Sequence, residues 1–123
     1  MRNLKITVTT AADGTVTAFS PRFSGAVHQI EYVKDGVNGY ADGVDFTITG
    51  EKTGVGLWTE SNVNASAVRA PRQPTHTQAG AAALFAAGGT AVQDRIGLGN
   101  DRVKIVLAQG GNAKVGTFFI VVD

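Results

Sequence analysis

The C-terminal stretch RVKIVLAQGGNAKVGTFFIVVD, residues 102–123, decides the fold class of this chain. In residues 103–108 the large aliphatic side chains recur at every second position, the period that a strand with one buried face requires. Residues 115–122 form the most apolar run of the sequence and are rich in β-branched and aromatic side chains. Gly110 and Gly111 tolerate positive φ, so the sequence predicts a hairpin here. A hairpin this apolar belongs at the centre of a core or against another molecule.

The rest of the chain repeats the pattern in short segments separated by turn residues. Residues 44–49 alternate between apolar and polar side chains, and the turn at 50–54 directs them to a partner strand at 55–60. Further strands are predicted at residues 4–9, 15–19, 27–33, 66–70 and 90–98. About seven to nine short strands predict one domain over residues 1–123, an all-β, antiparallel β-sandwich of jelly-roll-like or Ig-like form.

The segment GAAALFAAGG, residues 80–89, is the one part of the chain where the sequence favours a helix as much as a strand or loop. Ala and Leu favour helix and glycines close both ends, so at most one short helix near residues 80–87 is predicted. The alternative is a small-residue strand or loop that lies against another backbone. The preceding residues 71–77 are expected to be irregular, because two prolines fix φ and remove backbone donors.

Composition narrows the classes of function. The 123 residues carry a net charge of +1 and no cysteine, which excludes disulfides and thiolate chemistry and gives no sign of a nucleic-acid partner. Charged residues make up 17% of the chain, against about 25% in ordinary soluble domains, so a surface that meets neighbours is expected. No segment has the length or apolarity of a membrane span or a signal peptide, which predicts no membrane partner and synthesis in a cytoplasm.

No motif indicates catalysis, a metal or a cofactor. Asp35, Asn38, Asp42 and Asp45 offer oxygen ligands in a glycine-rich loop, but their spacing does not match an EF-hand, and Asx turns are the simpler interpretation. His28 and His76 have no second ligand nearby in sequence. We therefore predict a non-enzymatic protein with no catalytic residue, no metal and no cofactor.

An interaction surface is the remaining hypothesis. Residues 69–74 (RAPRQP) form an extended, proline-rich arm with two arginines, which is suited to lie across a neighbour. Aromatic and Arg side chains are enriched at interface centres. The candidate interface residues are Trp58, Arg69, Pro71, Arg72, Pro74, His76 and Phe119. Trp58 is equally consistent with a place in the core.

Three stretches carry a resemblance to a known family: residues 31–51 (EYVKDGVNGYADGVDFTITGE), the tripeptide APR at 70–72, and residues 94–123. They are similar to small structural proteins of tailed bacteriophages, and the chain resembles head-decoration or cement proteins. The resemblance implies a β-rich module on the capsid exterior of the virion, often a trimer, whose partners are the major capsid protein and further copies of itself. It carries no functional residues over to this chain.

Two alternatives stay open. Within the structural class, the chain could be a head–tail connector or a tail component. From another class, it could be a carbohydrate- or ligand-binding β-sandwich that uses Trp58, Tyr40 and the Asx-rich loop. The two classes differ in where these aromatic side chains lie, because a sugar site needs them exposed side by side in a concavity.

Overall fold

The computed structural model describes residues 1–123 as ten strands with no helix. The strands are β1 (Arg2–Thr9), β2 (Val16–Phe19), β3 (Phe23–Lys34), β4 (Asp45–Gly50), β5 (Gly56–Glu60), β6 (Ala67–Arg69), β7 (Arg72–Pro74), β8 (Gln93–Asp101), β9 (Val103–Ala108) and β10 (Val115–Val122). The all-β prediction is confirmed. The count exceeds the expected seven to nine because the three-residue strand β7 forms where irregular chain was predicted.

Two antiparallel sheets pack face to face. The first sheet has six strands in the order β1-β10-β3-β8-β7, with β6 also pairing with β3, and the second sheet has four in the order β2-β9-β4-β5. Their inner faces share one core of 21 buried hydrophobic residues. The alternation in β4 is confirmed, since Phe46 and Ile48 are buried in that core. The architecture is a β-sandwich.

The predicted C-terminal hairpin is wrong. β9 pairs with β2 and β4 in the second sheet, whereas β10 pairs with β1 and β3 in the first. The Gly110–Gly111 turn therefore carries the chain from one sheet to the other. It packs against the Asp13–Gly14 turn, where the Gly110 N–H donates to the Gly14 carbonyl at 2.9 Å. A Cβ on Gly110 would lie 2.8 Å from the Thr10 side chain, so only glycine fits this contact.

The long strand β3 pairs with different neighbours along its length. Phe23 to Val27 pairs with β8, and Ile30 to Tyr32 pairs with β6. The chain then passes from β6 to β7, which lies on the far side of β8. β7 is therefore the edge strand of the first sheet, beyond β8.

No helix forms at residues 80–87. The segment instead makes two isolated β-bridges, His76 with Ala82 and Leu84 with Ala91. Gly80 and Gly88 have φ of 86° and 71°, values that interrupt a right-handed helix. The exposed segment also has no packed face to stabilise so short a helix. The structure accordingly holds no helix that could cross a membrane.

Candidate interaction surface

The aromatic side chains that a sugar site would need lie inside the sandwich. Phe46 contacts four rings, with centroid distances of 4.9 Å to Tyr32, 6.5 Å to Tyr40, 5.2 Å to Trp58 and 5.2 Å to Phe118. Tyr40 and Trp58 are 2% and 5% exposed. Trp58 therefore lies in the core, which was one of the two places expected for it.

The two tyrosines of the chain fill the same end of the core. They stack with centroids 5.8 Å apart, and the Tyr40 hydroxyl donates to the Val8 carbonyl at 2.6 Å. Burial raises the pKa of Tyr32 to about 12 and raises the pKa of Tyr40 further, with the neighbouring Tyr32 adding to the effect. Both hydroxyls thus stay protonated in the folded protein.

Trp58 does meet one of the predicted interface residues. Arg69 lies over its indole, with Cζ 5.2 Å from the ring centroid. Glu60 joins them, because its carboxylate accepts hydrogen bonds from Trp58 Nε1 at 3.1 Å and from Arg69 Nε at 3.0 Å. The half-exposed Arg69 side chain therefore covers the core at the side where β5 and β6 approach each other.

The predicted arm, residues 69–74, is largely part of the sheet, because Arg69 belongs to β6 and Arg72–Pro74 form β7. Pro71 is buried, and Arg72 donates to the His28 carbonyl at 3.1 Å. Arg72, Gln73 and Pro74 pair with Arg95, Asp94 and Gln93 of β8. Pro74 is tolerated because β7 is an edge strand, and Pro71 lies just before that strand.

The segment that extends beyond the sheet begins at Thr75, directly after β7, and comprises residues 75–92. These residues are called the arm from here on. At its base, Thr75 N donates to the Val92 carbonyl, Ala83 N to the Thr75 carbonyl and Val92 N to the Ala83 carbonyl, each at 2.8 Å. Two small loops extend from this base and turn at Gly80 and Gly89. His76 is exposed in the first loop, and Leu84 and Phe85 are 45% and 75% exposed in the second. No charged residue occurs between Arg72 and Asp94, so the whole arm is uncharged.

Phe119 lies elsewhere, on the outer face of the first sheet. It is half-buried and stands between Lys5 of β1 and Glu31 of β3. Val68 of β6 follows in the same row, 49% exposed. Charged neighbours thus flank this aromatic ring, and the apolar part of the face is discontinuous.

An open cleft of about 510 Å³ lies at the side of the sandwich between β5 and β6. Its lining residues are Glu60, Asn62, Val63, Asn64, Ala65, Ser66, Ala67 and Arg69. Hydrogen bonds hold its wall in place: Lys34 N donates to Ser66 Oγ at 2.9 Å, and Gly43 N donates to Asn64 Oδ1 at 2.7 Å. Hydrogen bonds within the chain thus hold the residues that line the cleft.

The Asx-rich loop uses its carboxylates within the protein. Asp35 Oδ2 accepts from the backbone N–H groups of Val37 and Asn38, and these bonds lower the pKa of the Asp35 carboxyl. Asp45 Oδ1 accepts from Asn62 N at 3.1 Å. No group of three His, Asp or Glu side chains is placed to hold a metal ion. The loop has the hydrogen bonding expected of Asx turns.

Charged side chains elsewhere pair with one another. Arg102 and Glu51 form a two-bonded pair at 2.9 Å, which lowers the pKa of Glu51, and Arg22 approaches the same carboxylate at 3.6 Å. Arg95 bonds to Asp123 at 2.7 Å, and this hydrogen bond lowers the pKa of Asp123. These ion pairs lie outside the arm, which carries no charged residue.

No protein family, no curated protein and no solved structure matches the chain.

Of the predicted interface residues, the structure brings together Trp58 and Arg69 and places Arg72 and Pro74 on β7, which leads into the arm that holds His76. The arm itself was missed as a unit, although the absence of charge between Arg72 and Asp94 was a visible signal. The cleft gave no signal in the sequence, because its two sides come from separate strands. Together these features give the chain one uncharged projection and one open cleft.

Proposed function

We propose that the chain is a non-enzymatic structural protein of a tailed bacteriophage virion, which decorates the capsid exterior by binding the major capsid protein and copies of itself. The observation that carries this proposal is the arm: an exposed, uncharged projection that holds Leu84 and Phe85 in water on a well-packed sandwich. Exposed apolar side chains on a projecting element are typical of surfaces that become covered in an assembly.

The sandwich supports the same interpretation. A decoration protein needs a stiff module that presents contacts in fixed positions, and the shared core of both sheets provides it. Contacts that bury roughly 800 Å² per partner, repeated over a shell, would reinforce the lattice through multivalency. The carbohydrate-binding alternative is not favoured, because Trp58 and Tyr40 are buried.

Capsids of the phage that encodes the chain provide the test. We expect purified capsids to contain the chain in a fixed ratio to the major capsid protein, and capsids that lack it to be disrupted at lower temperature. Antibody labelling should be spread over the capsid exterior. Label confined to one vertex or to the tail would favour a connector or tail component instead, and absence of the chain from virions would refute both.

A further inference from the structure

We infer that β1 pairs with β1 of a second copy about a two-fold axis, so that the first sheets of the two copies become one continuous sheet. The inference rests on the proposed function and specifies how its homo-oligomer is built. Three features support it: the unused backbone edge of β1, the register that this edge allows with itself, and the apolar side of the sandwich next to it.

Every second residue of β1 directs its backbone N–H and carbonyl away from the protein. Thr10 N donates to the Lys114 carbonyl directly after the strand, and β1 pairs with β10 in unbroken register. Because the two sides alternate in an antiparallel ladder, the even-numbered residues bond to β10 and the odd-numbered residues face outward. No strand pairs with this outer side of β1. The outward residues, all exposed, are Asn3, Lys5, Thr7 and Thr9.

β1 lacks most of the features that keep an edge strand from pairing. β7 is three residues long and holds Pro74, and β2, β5 and β6 have at most five residues each. β1 has eight residues, with no proline, no glycine and no bulge. Lys5 is the one charge within its length, since Arg2 stands at its start. An edge of this length and regularity is a template for a further strand.

A second β1 is the strand that fits this edge. In an antiparallel pair centred on Ile6 of both copies, Lys5 lies opposite Thr7. In the same register Asn3 lies opposite Thr9, so every outward residue of each copy meets an outward residue of the other. The remaining edge strands of this chain are too short to pair with the whole of β1. Because β1 is already an ordered strand, it also loses less conformational entropy on pairing than a free peptide would.

Charge selects the same register. A pair centred on Lys5 would place two lysines directly opposite each other, and one centred on Thr7 would carry Asn3 beyond the end of the partner strand. In the register centred on the middle of β1, Arg2 of each copy comes to the start of the turn that holds the exposed Asp13 in the other. Opposite charges therefore approach each other at both ends of the contact.

The side of the sandwich next to this edge is apolar and incompletely covered. Leu4 of β1 and Val16 and Ala18 of β2 pack against the core there but are only half-buried. No salt bridge or cation–π contact involves a residue of β1. The two-fold pairing places Leu4 opposite Val8 of the other copy, so the cores of the two sandwiches meet across the dimer.

The experiment measures the mass of the purified protein by sedimentation over a range of concentrations. Thr7→Pro removes an outward N–H and leaves the bonds to β10 in place, because proline is tolerated on an edge strand where the N–H faces solvent. Thr59→Pro is the matched control. It makes the same exchange at an exposed residue on the outer edge of β5, at the opposite side of the sandwich. Circular dichroism checks that both variants keep the fold.

We expect the wild type and Thr59→Pro to form dimers of equal affinity. Thr7→Pro should weaken association by roughly 100-fold, because each dimer loses two donors and the rings hold the strands apart. Hydrogen exchange adds a second readout. The outward amides of β1 should be protected in the concentrated wild type and exchange fast in Thr7→Pro, whereas the amides that bond to β10 should be protected in both.

Disulfide trapping tests the register, since the chain has no cysteine of its own. A mixture of Lys5→Cys and Thr7→Cys proteins should form a disulfide-linked dimer on oxidation. The Cα atoms of such a hydrogen-bonded pair lie about 5.5 Å apart, which is within the reach of a disulfide. Each variant alone should crosslink poorly, because its two cysteines are then offset by two residues along the strands.

Three results would each overturn the inference: a wild type that stays monomeric, a Thr7→Pro protein that keeps the dimer, or outward amides that exchange fast within the dimer. Protection of these amides only after capsids are added would assign the edge to a capsid segment and overturn it as well. Capsid binding is scored separately with the same proteins. Binding of a monomeric wild type to capsids would refute only this inference, and a dimer that ignores capsids would refute only the proposed function.

Discussion

The guanidinium of Arg69 lies over the indole of Trp58, and the carboxylate of Glu60 bonds to both side chains. Trp58 belongs to β5, the edge of the second sheet, while Arg69 belongs to β6, which pairs with β3 of the first. The contact therefore closes the sandwich where its two sheets would otherwise expose the core. It also forms one wall of the cleft.

Arg69→Ala should uncover the only tryptophan of the chain. We expect tryptophan emission to shift to longer wavelength, and the free energy of unfolding to fall by about 1 kcal/mol, since the contact is half-exposed and screened. Urea unfolding followed by fluorescence measures both. Arg69→Lys is the control: it keeps the charge but not the planar fork, so it should recover only part of the effect. Unchanged emission in Arg69→Ala would contradict the arrangement.

Asp101→Asn should destabilise the fold without affecting the arm. The Asp101 side chain is 1% exposed and accepts hydrogen bonds from Lys52 N at 3.0 Å and Arg102 N at 2.7 Å. The neutral amide is a weaker acceptor and carries an NH₂ group with no partner there, so we expect a loss of about 1–3 kcal/mol in urea unfolding. Asp94→Asn is the matched control. Its Oδ1 accepts only from the adjacent Arg95 N on the surface, so stability should not change.

Stability should fall in mild acid. The hydrogen bond from Arg102 holds the pKa of Glu51 below its usual value of 4.5 in the folded protein. Because the pKa of Glu51 is lowered in the folded protein, the stability that its ionised carboxylate provides is complete above about pH 4.5. That stability is lost as pH falls through the pKa of Glu51 in the folded protein. We expect Glu51→Gln to flatten the acid limb of a stability-versus-pH curve measured by thermal unfolding. A variant with the same acid slope as the wild type would show that the pair does not contribute.

Gly116→Ala should be costly although it adds one methyl group. The new Cβ would lie 2.5 Å from Tyr40 Cε2 and 2.9 Å from Tyr32 Cε1. Both rings are confined in the core, so we expect a loss of about 1–3 kcal/mol in thermal unfolding. Gly97→Ala is a matched strand control, because nothing lies within 4 Å of its added Cβ and its stability should be nearly unchanged. Equal stability of the two variants would contradict the packing at Gly116.

The sequence predicts local features of this fold better than long-range ones. The hairpin of β4 and β5 follows from alternation and from the turn at residues 50–54, both of which are local. β9 and β10 show the same local signals, yet the glycine turn between them joins two sheets. Their sheets are decided by pairing with strands that are far away in sequence, which no short pattern records.

The candidate site divides in the same way. The absence of charge in the arm is a property of composition and can be seen in the sequence. The burial of Pro71 cannot be seen in the sequence, because it depends on β7 pairing with β8 across the length of the arm. The cleft depends on β5 and β6 meeting at one side of the sandwich, which requires the full topology.

The most direct test of the account is capsid binding with and without the arm. Residues 76–91 can be replaced by Asn-Gly, because Thr75 N already donates to the Val92 carbonyl. Removal of Ala83 frees the Thr75 carbonyl and Val92 N, and these two groups can pair with each other as in a two-residue hairpin. Purified wild-type and shortened proteins would be added to capsids that lack the chain, and the bound copies counted. We predict saturable binding of the wild type at a fixed ratio to the capsid protein, and little or no binding of the shortened protein at unchanged thermal stability. Equal binding of both proteins, or of neither, would contradict the account.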